Sequence, residues 1–499
     1  MATLTLLLGA LVLLAIYVVK AFTFWQRRRI PIPERCWPFL DHMGPVYMVA
    51  KSMIDHFEDL YNACNKHSMF GLYNGFAPAL VVREPQLIKT VLQSSFANFH
   101  KNSFQVSPKE DPLLAMNPFF SVGEAWQHGR KRFTNAFSNA RLKYLYAAVA
   151  EVCKKQQAFL EKQLKSRDKY EVELKHFFGR FTAESVANAG LGIEGYSYED
   201  NPPPNAFHSI GLGIFDPSFF KAFVNNLFIY KPCVARFFRI KFVEQKVDAF
   251  FRRIVRENLE FRRNDSTSKQ DFFQLMIDME KSEGEMNEER IVAHALSLFI
   301  DGFETTRLTL TFVCYHLAKY PEIQEKLRNE IRTTIAEHDG VLTFEALKDL
   351  KYMDRVINES QRRHSAVIFL KKVCTNECEL VGSDGLRVRL EPGMDVYVPV
   401  APIHHDAEYW SNPEVFDPDR FSEERKQDIQ KMSFLPFGEG PRMCVGMKMA
   451  TLMMKSCLAA FLNNYEIKLS PKTALPLKWS KYYFLPEPVT GIWVTVSKL

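Results

Sequence analysis

Several stretches of this chain place apolar residues at helical spacing, and their polar faces differ. Ala2 to Val19 is uncharged and mostly Leu, Val and Ala, which predicts a helix without a polar face. Residues 140 to 200 and the segment from Pro321 to Glu337 carry Lys and Glu on one face, which predicts amphipathic helices. Short alternating runs at 70–73, 79–82 and 486–496 predict strands, the last run as a closing hairpin. The pattern therefore predicts many helices and a few small sheets.

The longest predicted helix begins after Asn287, a favourable N-cap followed by two glutamates, and ends near Lys319 before Pro321. At its rise per residue it spans roughly 50 Å. Its apolar middle changes abruptly to Asp301-Gly-Phe-Glu304-Thr305-Thr306. A glycine flanked by acids and hydroxyls is costly inside a buried helix. Such a conflict is typical of a functional site, and a kinked structural helix is the alternative.

The uncharged N-terminal stretch is long enough to cross a membrane, since its helix would span about 27 Å. Lys20, Trp25 and the run 27–29 of three arginines follow it and mark one interface, and no Lys or Arg precedes it. The positive-inside rule then places the C-terminal bulk in the cytosol. A cleaved signal peptide would need a basic start and a small-residue cleavage site.

We therefore predict an uncleaved transmembrane anchor over residues 1–20 and a basic, proline-rich hinge over 21–40 that includes Pro31, Pro33 and Pro38. A single large domain follows over 41–499. In a eukaryote such an anchor predicts a single-pass protein of the endoplasmic reticulum membrane, with the domain on the cytosolic side.

Composition supports a globular body. Of the 499 residues, 47% are hydrophobic and 24% charged, which is ample for a large core. The net charge of +6 is modest and the basic residues are scattered, so no nucleic-acid partner is predicted. Nine cysteines, an odd number spread along the chain, favour a reducing compartment. Cys374 and Cys378 lack a second Cys/His pair at zinc-like spacing, so a zinc site is not expected.

The strongest chemical signal is the segment Phe437-Gly-Glu-Gly-Pro-Arg-Met-Cys444-Val-Gly446, which fits F-x-x-G-x-R-x-C-x-G. Gly440 and Gly446 permit positive φ and a close approach to a flat partner. N–H groups and a helix N-terminus beside Cys444 are expected to favour its thiolate. Arg442 is suited to binding a carboxylate. A buried structural cysteine in a Gly/Pro turn is the alternative.

This segment resembles the haem-binding loop of the cytochrome P-450 superfamily, and the sequence is most like insect microsomal members. The resemblance implies the mainly α cytochrome P-450 fold, a helical prism with small β-sheets and haem b between the long helix and the cysteine loop. Cys444 is then the axial iron ligand. Arg442 would bind a haem propionate, and Phe437 and Gly438 belong to the same haem-binding segment.

Further motifs extend the resemblance. Trp126 and Arg130 lie four apart, on one helix face, and match the W-x-x-x-R pair that holds a propionate; a surface cation–aromatic contact is the alternative. Lys372 stands roughly where many relatives place an Arg for the second propionate.

Glu359, Arg362 and Arg420, in E-x-x-R and P-D-R-F segments, match a triad that fixes the cysteine loop. Gln361 and Ser365 depart from the family's usual Leu and Pro, so a less rigid turn is expected after this helix. Ile403-His404-His405-Asp406 matches a family segment near the sheet and is interpreted as structural.

The polar segment of the long helix is similar to the family's oxygen-activation motif, A-G-x-[DE]-T. The resemblance implies that Gly302 allows a bulge with room for dioxygen, that Glu304 relays protons and that Thr305 hydrogen-bonds the oxygen. Asp301 replaces a small Ala, and would either narrow or polarise the pocket or turn away into a salt bridge.

Aromatic residues are expected to roof the pocket, beside residues 366–368 next to the haem. They favour a bulky apolar substrate, although core packing explains most of them equally well. They are Phe119, Phe120, Phe207, Phe215, Phe219, Phe220, Phe223 and Phe228. The last six belong to one stretch, which Gly211, Gly213 and Pro217 interrupt.

The resemblance implies a haem-thiolate monooxygenase that inserts one oxygen atom from O2 into an apolar small molecule, such as a xenobiotic, an insecticide or a hormone- or lipid-like compound. No G-x-G-x-x-G fingerprint follows a predicted strand. Electrons from NADPH are therefore expected to arrive through NADPH–cytochrome P-450 reductase, with cytochrome b5 as a second candidate partner. Three alternatives stay open: a haem-thiolate isomerase or dehydratase, a catalytically silent haem protein, and a haem-free membrane-tethered binding protein.

Overall fold

The computed structural model describes residues 2–34, 42–104, 106–215, 218–264, 271–282 and 287–499. Helices make up most of the regular structure in these residues, and the strands form three small sheets. This arrangement confirms the predicted mainly α fold class.

The helices of the described residues are numbered in chain order. They are α1 (Ala2–Phe22), α2 (Phe24–Arg27), α3 (Gly44–Tyr47), α4 (Met53–Ala63), α5 (Pro85–Lys89), α6 (Pro112–Ala115), α7 (Gly123–Ala136), α8 (Asn139–Leu164), α9 (Leu174–Ser185), α10 (Phe207–Ile214), α11 (Phe219–Tyr230), α12 (Pro232–Phe237), α13 (Gln245–Asn264), α14 (Phe272–Ser282), α15 (Glu288–Lys319), α16 (Pro321–Glu337), α17 (Phe344–Asp349), α18 (Lys351–Arg363), α19 (Val400–His404) and α20 (Met447–Asn464). Short π-helical or 3-10 segments occupy Thr90–Ser94, Phe96–Asn98, Val186–Leu191, Pro418–Phe421 and Lys426–Asp428.

The strands are β1 (Met69–Asn74), β2 (Ala77–Val82), β3 (Lys101–Asn102), β4 (Lys169–Glu173), β5 (Leu370–Val373), β6 (Cys378–Val381), β7 (Arg387–Leu390), β8 (Asp395–Val398), β9 (Tyr465–Leu469) and β10 (Trp493–Lys498). They form sheets of order β1-β2-β8-β5-β3, β4-β10-β9 and β6-β7. The predicted closing hairpin is wrong, because β10 pairs with β4 and β9 instead. Alternation along a strand sets which face is buried and leaves the partner strand undetermined.

The long helix α15 has the predicted bounds. The side chain of Asn287 accepts a hydrogen bond from the Arg290 N–H at 3.0 Å, and the helix ends at Lys319 before Pro321. It packs against α9, α13, α18 and α20 and is buried along most of its length. A helix surrounded in this way has almost no solvent-facing side, so its polar residues at 301–306 must find partners in the protein or face a cavity.

The N-terminal region has an exposed apolar helix, which is followed by a buried tryptophan. Residues 3–22 of α1 have a mean hydropathy of 2.4 and are not buried in the protein. Trp25 is fully buried instead, and its Nε1 donates to Leu72 O at 2.8 Å. The prediction that Trp25 marks a membrane interface is therefore wrong, because the indole packs on Gly71 of β1, where a Cβ would lie 2.5 Å from the ring. Pro38 lies outside the described residues.

A buried ion pair fastens α18 to the segment that leads to the cysteine loop. Arg362 donates from Nε and Nη2 to the two carboxylate oxygens of Glu359 at 2.7 and 2.8 Å, and both side chains are fully buried. Arg420 Nε donates to the same carboxylate at 3.4 Å. The geometry agrees with the predicted Glu–Arg–Arg triad. The other donors of the two arginines bind backbone carbonyls of residues 404 and 411–415.

His404 connects this triad to the cysteine loop. Its carbonyl accepts from Arg362 Nη1 at 2.9 Å, and its ring Nε2 accepts from the Leu435 N–H at 2.8 Å. Burial lowers the pKa of His404 to about 3, so the ring is neutral and can accept. A structural role was predicted for His404, but not this connection. Ser365, which replaces a proline, closes the turn after α18 by accepting from the Val367 N–H at 3.2 Å.

We predict that Glu359→Gln lowers the free energy of unfolding by about 3–5 kcal/mol, since it leaves Arg362 buried without a counter-charge. Urea unfolding followed by circular dichroism measures this loss. Glu345→Gln is the matched control, because it breaks an i,i+3 pair with Lys348 whose side chains are more than half exposed, and no measurable change is expected. Similar small losses in the two variants would contradict the role of the triad.

Candidate active site

An internal cavity of about 430 Å³ lies between α15 and the cysteine loop that precedes α20. Its walls also include residues of α7, β5 and the loop at 117–120. All predicted site residues line it, namely Trp126, Arg130, Gly302, Glu304, Thr305, Lys372, Phe437, Gly438, Arg442 and Cys444. The fold therefore brings together side chains that are more than three hundred positions apart in the chain.

The cysteine loop is closed by its own backbone. The Cys444 N–H donates to Phe437 O at 2.8 Å, and the Met443 N–H donates to Gly440 O at 3.0 Å. α20 begins at Met447, directly after the loop. These bonds fix the position of the sulfur at the cavity wall.

Glycines in this loop have two different uses. Gly438 and Gly440 have φ values of +67° and +78°, and a Cβ on Gly440 would come 2.0 Å from Leu92 O. Both the conformation and the close approach require glycine at position 440. Gly446 differs from the expectation of positive φ, since its φ is −85° and it serves as the N-cap of α20.

The Cys444 side chain is exposed, and it lines the cavity. Desolvation by the surrounding protein and the charge of Asp301 raise the pKa of the Cys444 thiol to about 11, although the N–H groups of Gly446 and Met447 and the charge of Arg130 lower it. The N–H groups therefore favour the thiolate as predicted, but desolvation is the larger effect. A cation at the sulfur would favour the thiolate further.

A second thiol helps to identify the relevant sulfur. Cys457 lies on α20, and its Sγ donates to Gln156 Oε1 at 3.5 Å. Cys457 is fully buried and does not belong to the described cavity wall, whereas Cys444 does. Cys444 is therefore the thiol that a group in the cavity would meet.

Three cations converge on the cavity, and no carboxylate among the described side chains pairs with them. Arg130 Nη1 donates to Met443 O, and Lys372 Nζ donates to Asn102 Oδ1 at 2.8 Å. Burial lowers the pKa of Arg130, lowers that of Lys372 to about 7 and lowers that of Arg442 to about 10. Such a cluster requires an anion, so the donor set fits the two propionates of the expected haem.

Arg442 also joins the cysteine loop to the chain at 100–121. It donates from Nε to His100 O at 2.6 Å, from Nη1 to Pro118 O at 3.1 Å and from Nη2 to Ser121 O at 2.9 Å. Its guanidinium lies 4.4 Å from the centroid of the Trp126 ring. Two of its five N–H groups remain for a carboxylate. The indole N–H of Trp126 has no acceptor among the described residues, so it is available as well.

The polar segment of α15 presents Asp301 and Thr305 to the cavity. Thr305 Oγ1 donates to Asp301 O at 2.7 Å, within the helix. The expected bulge at Gly302 is wrong, because α15 continues as an α-helix through this position. A Cβ on Gly302 would make an ordinary contact with Val186 Cγ2 at 3.5 Å.

Glu304 lines the cavity, and its carboxylate belongs to a buried ionic cluster. Its Oε2 accepts from Arg307 Nε, and its Oε1 lies 3.5 Å from Lys175 Nζ. Burial raises the pKa of Glu304, but the charges of Arg307 and Lys175 outweigh this and hold it below its ordinary value. Glu304 is therefore a carboxylate at neutral pH, and Lys175 connects it to the more exposed Glu487 at 2.6 Å.

The predicted aromatic roof is confirmed only in part. Phe119, Phe120, Phe215 and Phe228 line the cavity, as do residues 366–368. Phe207 packs in the core against Phe250, Phe251 and Phe299. Phe219, Phe220 and Phe223 are exposed on α11, and Pro217 lies outside the described residues.

The family model described as cytochrome P450 matches residues 31–492. The chain belongs to the cytochrome P450 family. Similar curated proteins include cytochrome P450 9e2 of Blattella germanica, which is 30% identical over 95% of this chain and 94% of that protein. Probable cytochrome P450 28d1 of Drosophila melanogaster is 31% identical over 97% and 96% of the two chains. Cytochrome P450 6j1 of Blattella germanica is 30% identical over 97% and 95%.

These matches confirm the predicted family and its insect character. As a cytochrome P450, the protein is a haem-thiolate monooxygenase whose haem is held by a cysteine thiolate. Arg130, Lys372 and Arg442, which form no ion pair among the described residues, and the Cys444 thiol that lines the cavity fit this cofactor. The family also implies a redox partner reductase and apolar substrates.

Several features of this cytochrome P450 site were not predicted from the sequence. Arg307 stands three positions after Glu304, so its i,i+3 pairing is visible in the sequence. Asn117 lies 184 positions from its partner Asp301 and has no comparable local signal. Gln361 lines the cavity with a buried Oε1 that has no hydrogen-bond partner among the described residues.

We predict that Lys372→Met stabilises the haem-free protein near neutral pH and weakens haem retention. The folded pKa of Lys372, about 7, lies below the ordinary value, so the folded chain binds fewer protons than the unfolded chain. The free-energy cost of burying the charged Lys372 ammonium is complete below that pKa. It disappears as pH rises towards about 10, the ordinary pKa of lysine. Thermal melts of haem-free protein across this range should show the variant's advantage shrinking with rising pH.

Haem retention is measured by transfer of haem to apomyoglobin. Lys371→Met is the matched control, because Lys371 Nζ pairs with Asp395 Oδ2 at 2.8 Å and its loss should destabilise the haem-free protein. The assignment of Lys372 is wrong if both variants destabilise the haem-free protein to the same extent.

Proposed function

We propose that Cys444 is the axial ligand of the haem iron and that Arg130, Lys372 and Arg442, with Trp126, hold the propionates. The observation that carries this proposal is the convergence of a cavity-facing thiol and three uncompensated cations on one cavity. A bound haem would supply both the positive centre that the thiol needs and the negative charge that the cations need. When bound, haem with a thiolate ligand supplies the activation of dioxygen.

The protein's own groups bind the substrate and exclude water. Aromatic side chains of the cavity wall provide an apolar surface for a bulky small molecule. They are Phe104, Phe119, Phe120, Phe215, Phe228, Phe369 and Phe484. We infer that the substrate is largely apolar, in the range of xenobiotics, insecticides and hormone- or lipid-like molecules.

Thr305 and Glu304 are proposed to supply protons. The Thr305 hydroxyl bonds to the Asp301 carbonyl and faces the cavity, so a rotation about χ1 exchanges this bond for one to an oxygen atom in the cavity. Glu304 is proposed to accept a proton from the Lys175 side and to return to its carboxylate form when it passes that proton towards the cavity, and the positive charge of Arg307 favours this return.

Electrons are proposed to arrive through a groove of about 590 Å³ on the other side of the cysteine loop. Phe437, Gly438 and Met443 line both the groove and the cavity, so they separate the two spaces. Exposed lysines rim this groove, at 348, 351 and 448. They favour an acidic redox partner, which we infer to be NADPH–cytochrome P-450 reductase, with cytochrome b5 as a second donor.

We further infer that α1 anchors the protein in the endoplasmic reticulum membrane with the body in the cytosol. Residues 3–19 are uncharged and, except for Val18, exposed, and Lys20 and the arginines at 27–29 follow them. This order of apolar and basic residues supports the cytosolic orientation.

The test of the proposed function is the carbon monoxide difference spectrum of the dithionite-reduced protein in microsomes. We predict a Soret band at the position of thiolate-ligated haem, and its loss in Cys444→Ala because no other cysteine of the described residues lines the cavity. Cys457→Ala is the control and should keep the band, since Cys457 lies outside the cavity wall. An unchanged spectrum in Cys444→Ala, or an imidazole-type band in the wild type, would refute the proposed ligand.

We predict that Thr305→Ala keeps haem and the carbon monoxide band but diverts electrons to hydrogen peroxide. The missing hydroxyl no longer donates a hydrogen bond in the cavity, so oxygen reduction separates from product formation. The peroxide formed per NADPH should rise several-fold in a reductase-reconstituted assay. Thr311→Ala is the matched control, because its Oγ1 makes the same kind of helix bond, to Arg307 O at 2.8 Å, away from the cavity. Equal coupling in the wild type and Thr305→Ala would exclude this role.

A further inference from the structure

Asp301 is an ionisable side chain at the cavity wall that the proposed chemistry does not use. It lies on the surface of α15 that faces the cavity, one residue before Gly302. Its partner among the described side chains is Asn117, whose Nδ2 donates to Asp301 Oδ2 at 3.0 Å. Oδ1 has no donor among the described residues. The side chain therefore keeps one carboxylate oxygen free for a molecule in the cavity.

Asn117 holds this carboxylate in a fixed orientation. Asn117 is fully buried, and its Oδ1 accepts from the Phe119 N–H at 2.7 Å. Because the amide oxygen is used by the backbone, the amide NH2 must point towards Asp301. The same short loop places Phe119 and Phe120 on the cavity wall, with their ring centroids 5.0 Å apart.

No cation of the described protein neutralises Asp301. The neighbouring acid Glu304 uses Arg307 and Lys175. The three cavity cations are those proposed to hold the propionates, and they form no ion pair with Asp301. The expectation that Asp301 turns away into a salt bridge is thus wrong, and its alternative, a polarised pocket, describes the structure.

The carboxylate is charged under ordinary conditions. Burial raises the pKa of Asp301 to about 6, and the hydrogen bond from Asn117 limits this rise. At neutral pH the side chain is mostly ionised, although it faces an aromatic cavity. A negative charge beside aromatic ring faces attracts an ammonium group, since both the carboxylate and the rings stabilise a cation.

We propose that Asp301 is a specificity determinant of this cavity and that it selects substrates carrying an ammonium group on an apolar body. This inference rests on the proposed function, because it assigns the substrate class of the same cavity. The ammonium group lies against Asp301 Oδ1, and the apolar body lies against the phenylalanine side chains. A neutral analogue of the same shape keeps the apolar contacts and loses the charge interaction.

The test compares two probes of the same shape, 4-phenylbutyltrimethylammonium and its carbon isostere (5,5-dimethylhexyl)benzene. A quaternary nitrogen has no lone pair and does not ligate iron, so binding reports the cavity alone. Equilibrium dialysis of the full-length, haem-loaded protein at neutral pH gives each dissociation constant. We expect the wild type to favour the ammonium by about tenfold, because desolvation of the ammonium offsets much of the Coulomb attraction.

Variants separate charge from shape. Asp301→Asn retains the size of the side chain and a hydrogen bond with Asn117, and it should lose about tenfold in ammonium affinity with little change for the isostere. Asp301→Glu should retain part of the preference. Glu379→Gln, an exposed acid on β6, is the control and should change neither constant. A further variant, Asp301→Ala, should behave like Asp301→Asn if the latter folds poorly.

Two results would overturn the proposal. If the wild type binds both probes equally after correction for detergent partition, Asp301 selects no cation. If Asp301→Asn weakens both probes equally, the side chain only fixes the loop at 117–120. The carbon monoxide spectrum of the same preparation reports the haem ligand independently, so failure of the proposed function is distinguished from failure of this inference.

Discussion

Uncompensated positive charge around one cavity is the constraint on which the rest of this structure depends. The fold removes Arg130, Lys372 and Arg442 from water, and this burial lowers their pKa values. None of them forms an ion pair with a carboxylate of the described residues, and burial of like charges is unfavourable, so the cavity is suited to a dianionic group. Desolvation also raises the pKa of the Cys444 thiol, so a cation at the sulfur would favour its thiolate. An iron porphyrin with two propionates meets both needs at once.

The elements around the cavity keep this charged arrangement in place. Arg442 bonds to three backbone carbonyls between residues 100 and 121 and stacks on Trp126, so it fixes the cysteine loop. On the other side, the Glu359–Arg362 pair acts through His404, whose neutral ring accepts from the Leu435 N–H. In both connections, side chains form hydrogen bonds with backbone N–H and C=O groups that lie outside helices and sheets. The loop is therefore rigid although it contains three glycines in the segment 438–446.

Two acidic side chains of α15 have different surroundings. Glu304 is held in an ionic cluster with Arg307 and Lys175, while Asp301, less than one helical turn away, faces the cavity with Asn117 as its partner. The two acids thus have different partners, although residues three apart are neighbours on the surface of a helix. Glu304 is held in the ionic cluster, and Asp301 keeps one carboxylate oxygen open to the cavity.

Much of this protein could be predicted from patterns of residues that are close together in the sequence. The bounds of α15 follow from the Asn287 cap and Pro321, and the fixed spacing around Cys444 predicts a haem-binding loop, because these features depend on neighbours within a few residues. The sequence also placed Trp126 with Arg130, and Glu359 with Arg362, since helical spacing determines both pairs. Tertiary structure alone decided that Trp25 is buried, that β10 pairs with β4 and β9, that Gly446 is an N-cap, and that Asp301 meets Asn117. Partners of this kind lie far apart in the chain, and burial, which sets the pKa of Cys444 and Lys372, depends on atoms that the local sequence does not specify.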